Sequence, residues 1–355
     1  MHDFMPDASA GFPDQIDWDD ARQQLESAGL TDGLPVVPPT RTRVARMLEA
    51  CSGDPDSMVA VLPPLAARVS YRDIAFNAVM AGCVPACLPV VAAAIQALSA
   101  PEFNLIGIST TTGSAAPLLI VNGPLARELH MNCAGNALGP GNRANATIGR
   151  AVSLVLRNVG GARPGELDMA TLGQPAKYTC CFAENEAASP WEPLHVERGF
   201  ELAQSVVTVV GIAGTVEVVD SASRAAADLA QTFARSMTIA GSLGSGGLLG
   251  GGEPLLILSP EIAASFARDG CSKQAVKSAI HARVRLPVQE LAMAVREQLG
   301  SRAVSGTGDA AAFVTTAAAA SDIMIVVAGG VGVKSIYAPT WAGSTRAVSR
   351  VVAAL

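Results

Sequence analysis

Charged side chains and aromatic rings are scarce in this chain of 355 residues, at 16% and 4% of the total, whereas hydrophobic residues make up 50%. Such a hydrophobic chain is not intrinsically disordered. The net charge of −6 leaves no basic stripe to neutralise phosphates, which excludes a nucleic-acid-binding protein. Because few charges cover the surface, we expect part of it to be buried against another copy of the chain and predict a homo-oligomer.

Long apolar runs are also missing. The most apolar stretches, Ala86–Leu98 and Asp309–Gly330, are interrupted by proline, glycine or polar residues, so neither supplies the roughly 20 residues of a membrane helix. The segment Met1–Asp20 is acidic and lacks the basic-then-apolar order of a signal peptide. We therefore predict a cytoplasmic protein without membrane contact.

The seven cysteines include no CxxC pair, which argues against a structural zinc site. Their odd number and irregular spacing argue against a disulfide framework in a reducing cytoplasm. The sequence predicts no metal ligand set and leaves any cofactor unknown.

Turn-forming residues mark the end of an N-terminal arm. Glycines and prolines dominate Gly29–Thr40. Thr40 stands where the N-cap of a helix belongs, directly before the predicted helix Arg41–Ala50. Residues 1–53 are therefore predicted to form an arm and a helix that pack over a domain edge or a neighbouring subunit.

An internal repeat organises the remaining chain. Gly113–Val121 resembles Gly250–Leu258, and Pro117 matches Pro254. The predicted helices and strands around the first copy are Val90–Leu98, Leu125–Met131, Ala144–Arg157 and Val206–Ile212, and those around the second are Ala222–Arg235, Glu261–Asp269, Lys273–Arg283 and Ile323–Ala328. This order predicts an α/β fold of two duplicated units, residues 54–220 and 221–355, about a pseudo-two-fold axis with parallel or mixed sheets.

One long segment, residues 160–204, is predicted only in the first unit. It has no clean helix or strand period and concentrates ionisable groups in a chain that is otherwise poor in charge. Long irregular segments within compact domains are often functional. We therefore expect the chemistry to lie on this insert and to be asymmetric.

Three strings resemble those of a group of bacterial proteins: DGLPVVPPT at Asp32–Thr40, NRANATIGRA at Asn142–Ala151 and SPWEPLHVERGF at Ser189–Phe200. The stretch Gly244–Asp269 is loosely similar to the UGSC-like proteins, which are named for a motif containing selenocysteine or cysteine. This chain has Leu243-Gly-Ser-Gly246 in place of CGSC, so the resemblance implies no catalytic residue here.

Two loops rich in small residues are candidates for substrate binding. The loop Gly241–Gly252 can expose backbone N–H groups to a phosphate or carboxylate, and Gly244 and Ser245 are its candidate contacts. Its counterpart Ser109–Ser114 offers hydroxyl groups. The candidate contacts there are Ser109, Thr110 and Thr111. The alternative is that close packing of the backbone requires these small residues.

Three cations are candidates for holding an anionic substrate. Arg143 follows Gly139-Pro-Gly-Asn142 at the start of a predicted helix, where free N–H groups also favour an anion. Alternatively, Arg143 caps a neighbouring strand. Arg346 can act similarly from the second unit, and Lys334 follows the glycine-rich end of a strand, where ligands of α/β proteins often lie.

Acid–base chemistry is predicted within the insert. His195 has carboxylates and a tryptophan close in sequence, and a carboxylate beside an imidazole can hold its tautomer. Glu184 and Glu186 alternate, so an extended strand places them on one face as an acid–base pair or hard metal ligands. The alternative for these glutamates is a surface salt-bridge network with Arg198 and Lys177.

Two thiols complete the candidates. Cys83 belongs to a CxxxC pair with Cys87, and Cys181 adjoins the ionisable part of the insert. A thiolate is a good nucleophile, so either cysteine is a candidate for a covalent adduct. Buried packing is the alternative, since cysteine is among the most frequently buried residues.

These features predict an enzyme that acts on a small polar or anionic metabolite by acid–base, possibly thiol-assisted, lyase or hydrolase chemistry. One alternative is a zinc or iron enzyme with His, Glu and Cys ligands, although no paired-histidine spacing is present. A non-catalytic small-molecule-binding or assembly protein is the other alternative, and it is favoured if the ionisable groups are dispersed over the surface.

Overall fold

A computed structural model describes residues 11–238, 252–299, 313–341 and 343–353. The helices are Trp18–Ser27 (α1), Arg41–Leu48 (α2), Tyr71–Ala81 (α3), Leu88–Leu98 (α4), Leu105–Thr110 (α5), Pro124–Glu128 (α6), Arg143–Asn158 (α7), Leu194–Glu197 (α8), Ala226–Met237 (α9), Pro260–Arg268 (α10), Lys273–His281 (α11) and Met293–Leu299 (α12). The strands are Met58–Leu62 (β1), Ala67–Ser70 (β2), Ala116–Asn122 (β3), Cys181–Ala183 (β4), Val206–Ile212 (β5), Val216–Val219 (β6), Leu255–Leu258 (β7), Leu286–Pro287 (β8), Phe313–Val314 (β9), Met324–Val327 (β10), Lys334–Ala338 (β11) and Val348–Val351 (β12).

The N-terminal arm carries two helices. Thr40 caps α2 as predicted, because its hydroxyl accepts the N–H of Arg43. The first helix, α1, was not predicted; Asp17 caps it. A bidentate ion pair between Asp32 and Arg150 ties the arm to α7.

Two four-stranded mixed sheets form the body. The first has the order β12–β5–β3–β4, with β3 parallel to β4 and antiparallel to β5, and with β5 antiparallel to β12. The second has the order β10–β7–β11–β6, with β7 parallel to β10 and antiparallel to β11, and with β11 antiparallel to β6. The predicted α/β class with mixed sheets is therefore confirmed.

The sheets pack against each other on one face and against helices on the other. Alternate residues of each strand point to opposite faces. Side chains of the buried cluster between the sheets are Leu118, Ile120, Phe182, Val210, Ile212, Leu255, Ile257, Met324, Val326 and Ala338. Their neighbours along the strands, such as Leu119 and Val209, pack with α3, α4 and α7, whereas Leu256 and Ile325 pack with α9, α10 and α11. The layers are thus helix, sheet, sheet, helix.

The chain crosses between the sheets twice. Strand β6 follows β5 in sequence but pairs with β11 of the second sheet, and β12 follows β11 but pairs with β5 of the first. Strand β6 lies within residues 54–220 but belongs to the second sheet. The predicted boundary at residue 220 therefore does not coincide with the division between the two sheets. Reciprocal bonds join the crossings: Ala213 N–H donates to Pro339 O at 2.7 Å, and Trp341 N–H donates to Gly211 O at 2.9 Å.

Most predicted elements lie where the apolar runs placed them. Val206–Ile212 is a strand over its whole predicted length, and the predicted helix Ala144–Arg157 is one residue shorter at each end than α7. Asn142 caps α7 through the N–H of Asn145. The predicted loop Ser109–Ser114 is different, because Ser109 and Thr110 end a helix, α5. None of the helices in the described ranges is long and apolar enough to cross a membrane.

Candidate functional site

A buried polar cluster lies where the parallel strands β3 and β4 end. Asn122 closes β3 and is fully buried, and Glu184 directly follows β4 and is 4% exposed. The Nδ2 amide of Asn122 donates to Glu184 Oε2 at 2.7 Å, and the N–H of Leu194 donates to the same oxygen at 2.8 Å. The strand ends thus hold a carboxyl group at one edge of the sheet, between polar donors.

Glu186 lies on the other side of the same asparagine. Its Oε1 accepts the N–H of Gly123 at 2.7 Å and the Asn122 amide at 3.1 Å. Its Oε2 is 3.4 Å from the exposed guanidinium of Arg127. Both carboxyl groups therefore contact Asn122, although not along an extended strand: β4 ends at Ala183, and Glu186 opens a short 3-10 helix.

His195 joins this cluster from the short helix α8. Its ring is fully buried, with Nδ1 3.9 Å from Glu186 Oε1 and Nε2 3.5 Å from the carbonyl oxygen of Leu202. Both distances exceed the length of a good hydrogen bond. The imidazole is held mainly by packing, close to a carboxylate but not bonded to it.

Three atoms of the cluster lack a hydrogen-bond partner among the described residues: Asn122 Oδ1, Glu184 Oε1 and His195 Nδ1. Each such buried atom destabilises the fold by about 1–3 kcal/mol, and more when charged. Buried polar atoms are rarely left in this state, and active sites are among the exceptions. Their concentration in one place marks this cluster as the candidate active site.

Burial raises the pKa of the Glu184 carboxyl above its ordinary value of 4.5. The positive charge of Lys273 and hydrogen bonding from Leu194, Asn122 and the backbone at Val327 act in the opposite direction without cancelling the effect of burial. Glu184 therefore holds its proton to a higher pH than an exposed glutamate does. A neutral carboxyl group can donate a proton to a reacting atom.

A cavity of about 770 Å³ lies beside the cluster. Leu194 belongs to both, since it lines the cavity and its N–H bonds to Glu184. The charged side chains that line the cavity are Glu102, Glu197, Arg198, Glu253, Lys277, Arg346 and Arg350. Lys277 is paired with Glu197 and Arg346 with Asp322, and Arg198 lies 3.7 Å from Glu253. Arg350 is therefore the lining cation that is left for an anionic ligand among the described residues.

The wall formed by α8 is fixed by ionic contacts. Lys273 donates to Glu197 Oε2 at 2.9 Å, and Lys277 bonds to the other oxygen of the same carboxylate. Burial raises the pKa of Glu197, but the two lysines outweigh burial and leave this pKa below its ordinary value. Arg198 donates to Ser349 Oγ and to Ala347 O, each at 2.7 Å.

The predicted surface network does not form. Lys177 pairs with Asp168 at 2.6 Å, far along the insert from the cluster, and Arg198 contacts β12 and its approach rather than Glu184. Glu184 is buried instead of lying in a solvated salt bridge.

Two groups of predicted residues have structural contacts instead. The guanidinium of Arg143 donates to the carbonyl oxygen of Gly82 through Nε at 3.0 Å and Nη2 at 2.8 Å. It therefore caps the end of α3, a helix rather than the strand that the alternative named. Cys83 and Cys181 are buried, and the pKa of each thiol is raised well above 9.0. The causes are a hydrogen bond with Cys87 and burial for Cys83, and burial for Cys181. Neither thiol has the thiolate character that a nucleophile needs.

The other predicted contacts are dispersed. Thr110 Oγ1 bonds to Ile106 O within α5, and Thr111 Oγ1 accepts the N–H of Gly113. Ser109 is buried at a small cavity away from the cluster. Gly244 and Ser245 lie outside the described residues.

Two predicted cations do reach cavities. Arg346 lines the 770 Å³ cavity beside Arg198, although it pairs with Asp322 at 2.6 Å. Lys334 opens β11 at the rim of a separate cavity of about 270 Å³, together with the glycine loop Gly329–Gly332. The structure thus brings Glu184, Glu186 and His195 together, with Arg346 nearby, and leaves the remaining candidates apart.

Sequence analysis missed Asn122, Lys273 and Lys277. Asn122 had a usable signal, because it is a polar residue that ends an apolar strand directly before Gly123-Pro124. The lysines had none: they lie in an amphipathic helix, and only the fold shows that both are buried against Glu197.

Among the described residues, no group of three or more His, Cys, Asp or Glu side chains is arranged to hold a metal ion. No protein family, curated protein or solved structure matches the chain in comparisons with known proteins. The resemblance to UGSC-like proteins therefore stays a prediction, and the function has to be argued from the site.

Proposed function

We propose that this chain is an enzyme that acts on a small anionic metabolite by acid–base chemistry of the lyase or hydrolase type. The observation that carries the proposal is the group of three unpartnered buried atoms on Asn122, Glu184 and His195, beside a cavity lined by charged side chains of both signs. Clusters of perturbed ionisable groups next to a pocket are typical of active sites.

Each polar residue has a role in this proposal. The carboxyl of Glu184, whose pKa is raised by burial, donates a proton to the leaving oxygen or nitrogen of the substrate, and His195 accepts the proton that is removed. Glu186 faces Nδ1 of His195 and stabilises the imidazolium as it forms. Asn122 positions both carboxyl groups through its amide.

The cations of the cavity bind the substrate before it reaches these groups. Arg350, which forms no ion pair among the described residues, is the main contact of the anion site. Arg198 and Arg346 line the same cavity and join it when the ligand competes with Glu253 and Asp322 for them. Because His195 is fully buried, α8 has to shift before a bound molecule can touch it. Its four residues make that shift small, and a ligand on Arg198, the residue that follows α8, is well situated to cause it.

An extract of small metabolites, followed by untargeted mass spectrometry, tests the proposal without a known substrate. We expect the wild type to consume at least one anionic metabolite, and Glu184→Gln to slow this by about a hundredfold or more. The matched control is Glu201→Gln, which changes an exposed glutamate nearby and should keep full activity. Identical extracts after incubation with wild type and Glu184→Gln would contradict the proposal.

We also propose that the body is an internal duplication about a pseudo-two-fold axis. Its support is the shared pairing pattern, in which β3, β4, β5 and β12 correspond to β7, β10, β11 and β6. The expected match of Val206–Ile212 with Ile323–Ala328 is wrong, because β5 is antiparallel to β3 whereas β10 is parallel to β7. Equivalent residues Ile212 and Thr340 pair with each other, as expected next to the axis. Glu184 N–H bonds to Val121 O, and its counterpart Ala328 N–H bonds to Leu258 O.

In this correspondence the chemistry is asymmetric. Glu184 and Glu186 correspond to Ala328 and Gly330, so the second unit has no counterpart of the carboxyl pair.

We further propose a cytoplasmic location. It is supported by the seven cysteines, all of which lie in the described ranges as free thiols.

A further inference from the structure

A second large cavity, of about 590 Å³, lies under the insert. One wall is α7, contributed by Ser153, Leu154 and Arg157, and another is the insert itself between Ala162 and Tyr178. Pockets for small ligands are commonly about 300–1,000 Å³. The cavity shares no lining residue with the 770 Å³ cavity and includes none of Asn122, Glu184, Glu186 or His195.

Among the charged side chains around this cavity, one cation, Arg157, is not neutralised by an ion pair with a described carboxylate. Asp32 is held by Arg150 at 2.7 Å, and Asp168 is held by Lys177 at 2.6 Å. Arg157 has no carboxylate partner in the part of the chain that the structure describes. Its buried Nε has no acceptor, and its Nη2 is 3.5 Å from the carbonyl oxygen of Gly29, a long contact.

A smaller space of about 60 Å³ adjoins the cavity and shares Ser153, Arg157 and the Asp168–Lys177 pair with it. Leu172, on the lining of the larger cavity, exposes 95% of its surface, and Tyr178 is half-exposed. The cavity therefore combines Arg157 and a serine hydroxyl with exposed apolar surface.

We propose that this cavity binds a small organic acid with one carboxylate and an apolar body. The carboxylate pairs with the guanidinium group of Arg157, which favours carboxylate partners, and the hydroxyl of Ser153 adds a donor. The apolar body covers Leu172 and Tyr178. A dianionic phosphate fits less well, because Lys177, the other cation of the cavity, is already paired with Asp168.

Ligand-detected NMR tests the proposal with three acids, 3-phenylpropionate, hexanoate and benzoate, each beside its corresponding alcohol at about 5 mM. We expect at least one acid to bind the wild type more tightly than its alcohol, and Arg157→Met to weaken that binding about tenfold or more. Arg46→Met, which changes an exposed arginine of α2 that lines none of the described cavities, should bind as the wild type does.

A second variant keeps the test valid if Arg157→Met fails to fold. Leu172→Glu places a like charge at the exposed mouth, where no protein packing is lost. It should weaken the acids more than the alcohols, because both lose the apolar contact but only the acids are repelled. Glu184→Gln should bind the acids normally, so this site can fail or hold independently of the proposed enzyme. The proposal is overturned if no acid binds better than its alcohol, or if the folded Arg157 and Leu172 variants bind the acids like the wild type.

Discussion

The buried carboxyl of Glu184 links the candidate site to the stability of the fold. Its pKa is raised by burial, so the folded protein holds this proton to a higher pH than the unfolded chain does. The contribution of Glu184 to stability is therefore most favourable below the ordinary value of 4.5 and is lost as pH rises through the folded pKa. Replacing Glu184 by a residue that cannot ionise should abolish this loss of stability at higher pH.

We therefore expect Glu184→Gln to have a higher melting temperature than the wild type at pH 7–8, with a smaller difference near pH 5. Glutamine still accepts the bonds from Leu194 and Asn122 but cannot become charged. Differential scanning calorimetry across this pH range measures the difference, with Glu201→Gln as the exposed control. A lower melting temperature for Glu184→Gln at every pH would show that Glu184 is held as a charged group.

A different prediction concerns Arg143, because its side chain is bonded to the end of a helix and is therefore expected to affect stability. Arg143→Ala removes two hydrogen bonds to Gly82 O, and we expect it to lower the free energy of unfolding by about 0.5–1.5 kcal/mol. Urea denaturation measures this loss. Substrate binding should be unchanged, and a variant with wild-type stability but weakened binding would restore the anion-binding role.

The contrast between these residues shows what a sequence can predict about a site. Glu184, Glu186 and His195 lie within one short segment, so local spacing was enough to bring them together. Arg143 and Cys181 were misjudged because their surroundings come from distant parts of the chain. Nothing in the local sequence of Arg143 reveals that Gly82 O lies beside it.

At the scale of elements, α8 is the part of the site that must be both held and able to move. It has only four residues, so its position depends on the contacts of Glu197 with Lys273 and Lys277 on α11. Both lysines are buried, and breaking such a group leaves charges without a partner.

We expect Glu197→Gln to destabilise the protein by about 3–5 kcal/mol, since two buried lysines lose their counter-charge. The lowered pKa of Glu197 adds a pH dependence: its stabilising effect is present above 4.5 and is lost as pH falls through the folded pKa. Urea denaturation at pH 7 and pH 4 measures both effects. Glu192→Gln is the matched control, because its side chain is exposed and only its carbonyl oxygen contacts Lys273; equal losses in the two variants would contradict the argument.

Elements with strong periodicity were predictable, and those defined by tertiary contacts were not. The run of β-branched residues in β5 predicts a strand, and the amphipathic pattern of α7 predicts a helix, without any knowledge of tertiary contacts. The short helix α5 does not. Gly107 lies there directly against the ring of Trp341, so close packing rather than local preference accounts for its position.

The whole molecule exposes several large apolar side chains on its β1–β2 hairpin. Met58, Val61 and Leu65 are each 44–52% exposed. This surface is consistent with the homo-oligomer that the low charge content predicts. Light scattering at micromolar concentration should give a mass above the 36.2 kDa of one chain, and Val61→Lys with Leu65→Lys should lower it. A monomer in the wild type would contradict this prediction.

The exchange of β6 and β12 makes the two sheets depend on each other. A fragment of residues 1–220 lacks β12, which leaves β5 as an unpaired edge, and it carries β6 without β11. The fragment of residues 221–355 has the converse defects, and both expose the apolar face that is buried between the sheets. Unpaired edges and exposed apolar faces favour aggregation.

We therefore expect neither fragment to unfold cooperatively on its own, although each contains one predicted unit. Co-expressed, the two should form a one-to-one complex with a single thermal transition, because each supplies the strand that the other lacks. Size-exclusion chromatography and circular dichroism distinguish these outcomes. A cooperative transition in the isolated 221–355 fragment would show that the second sheet is stable without β6. The exchange of strands would then not be what holds the two units together.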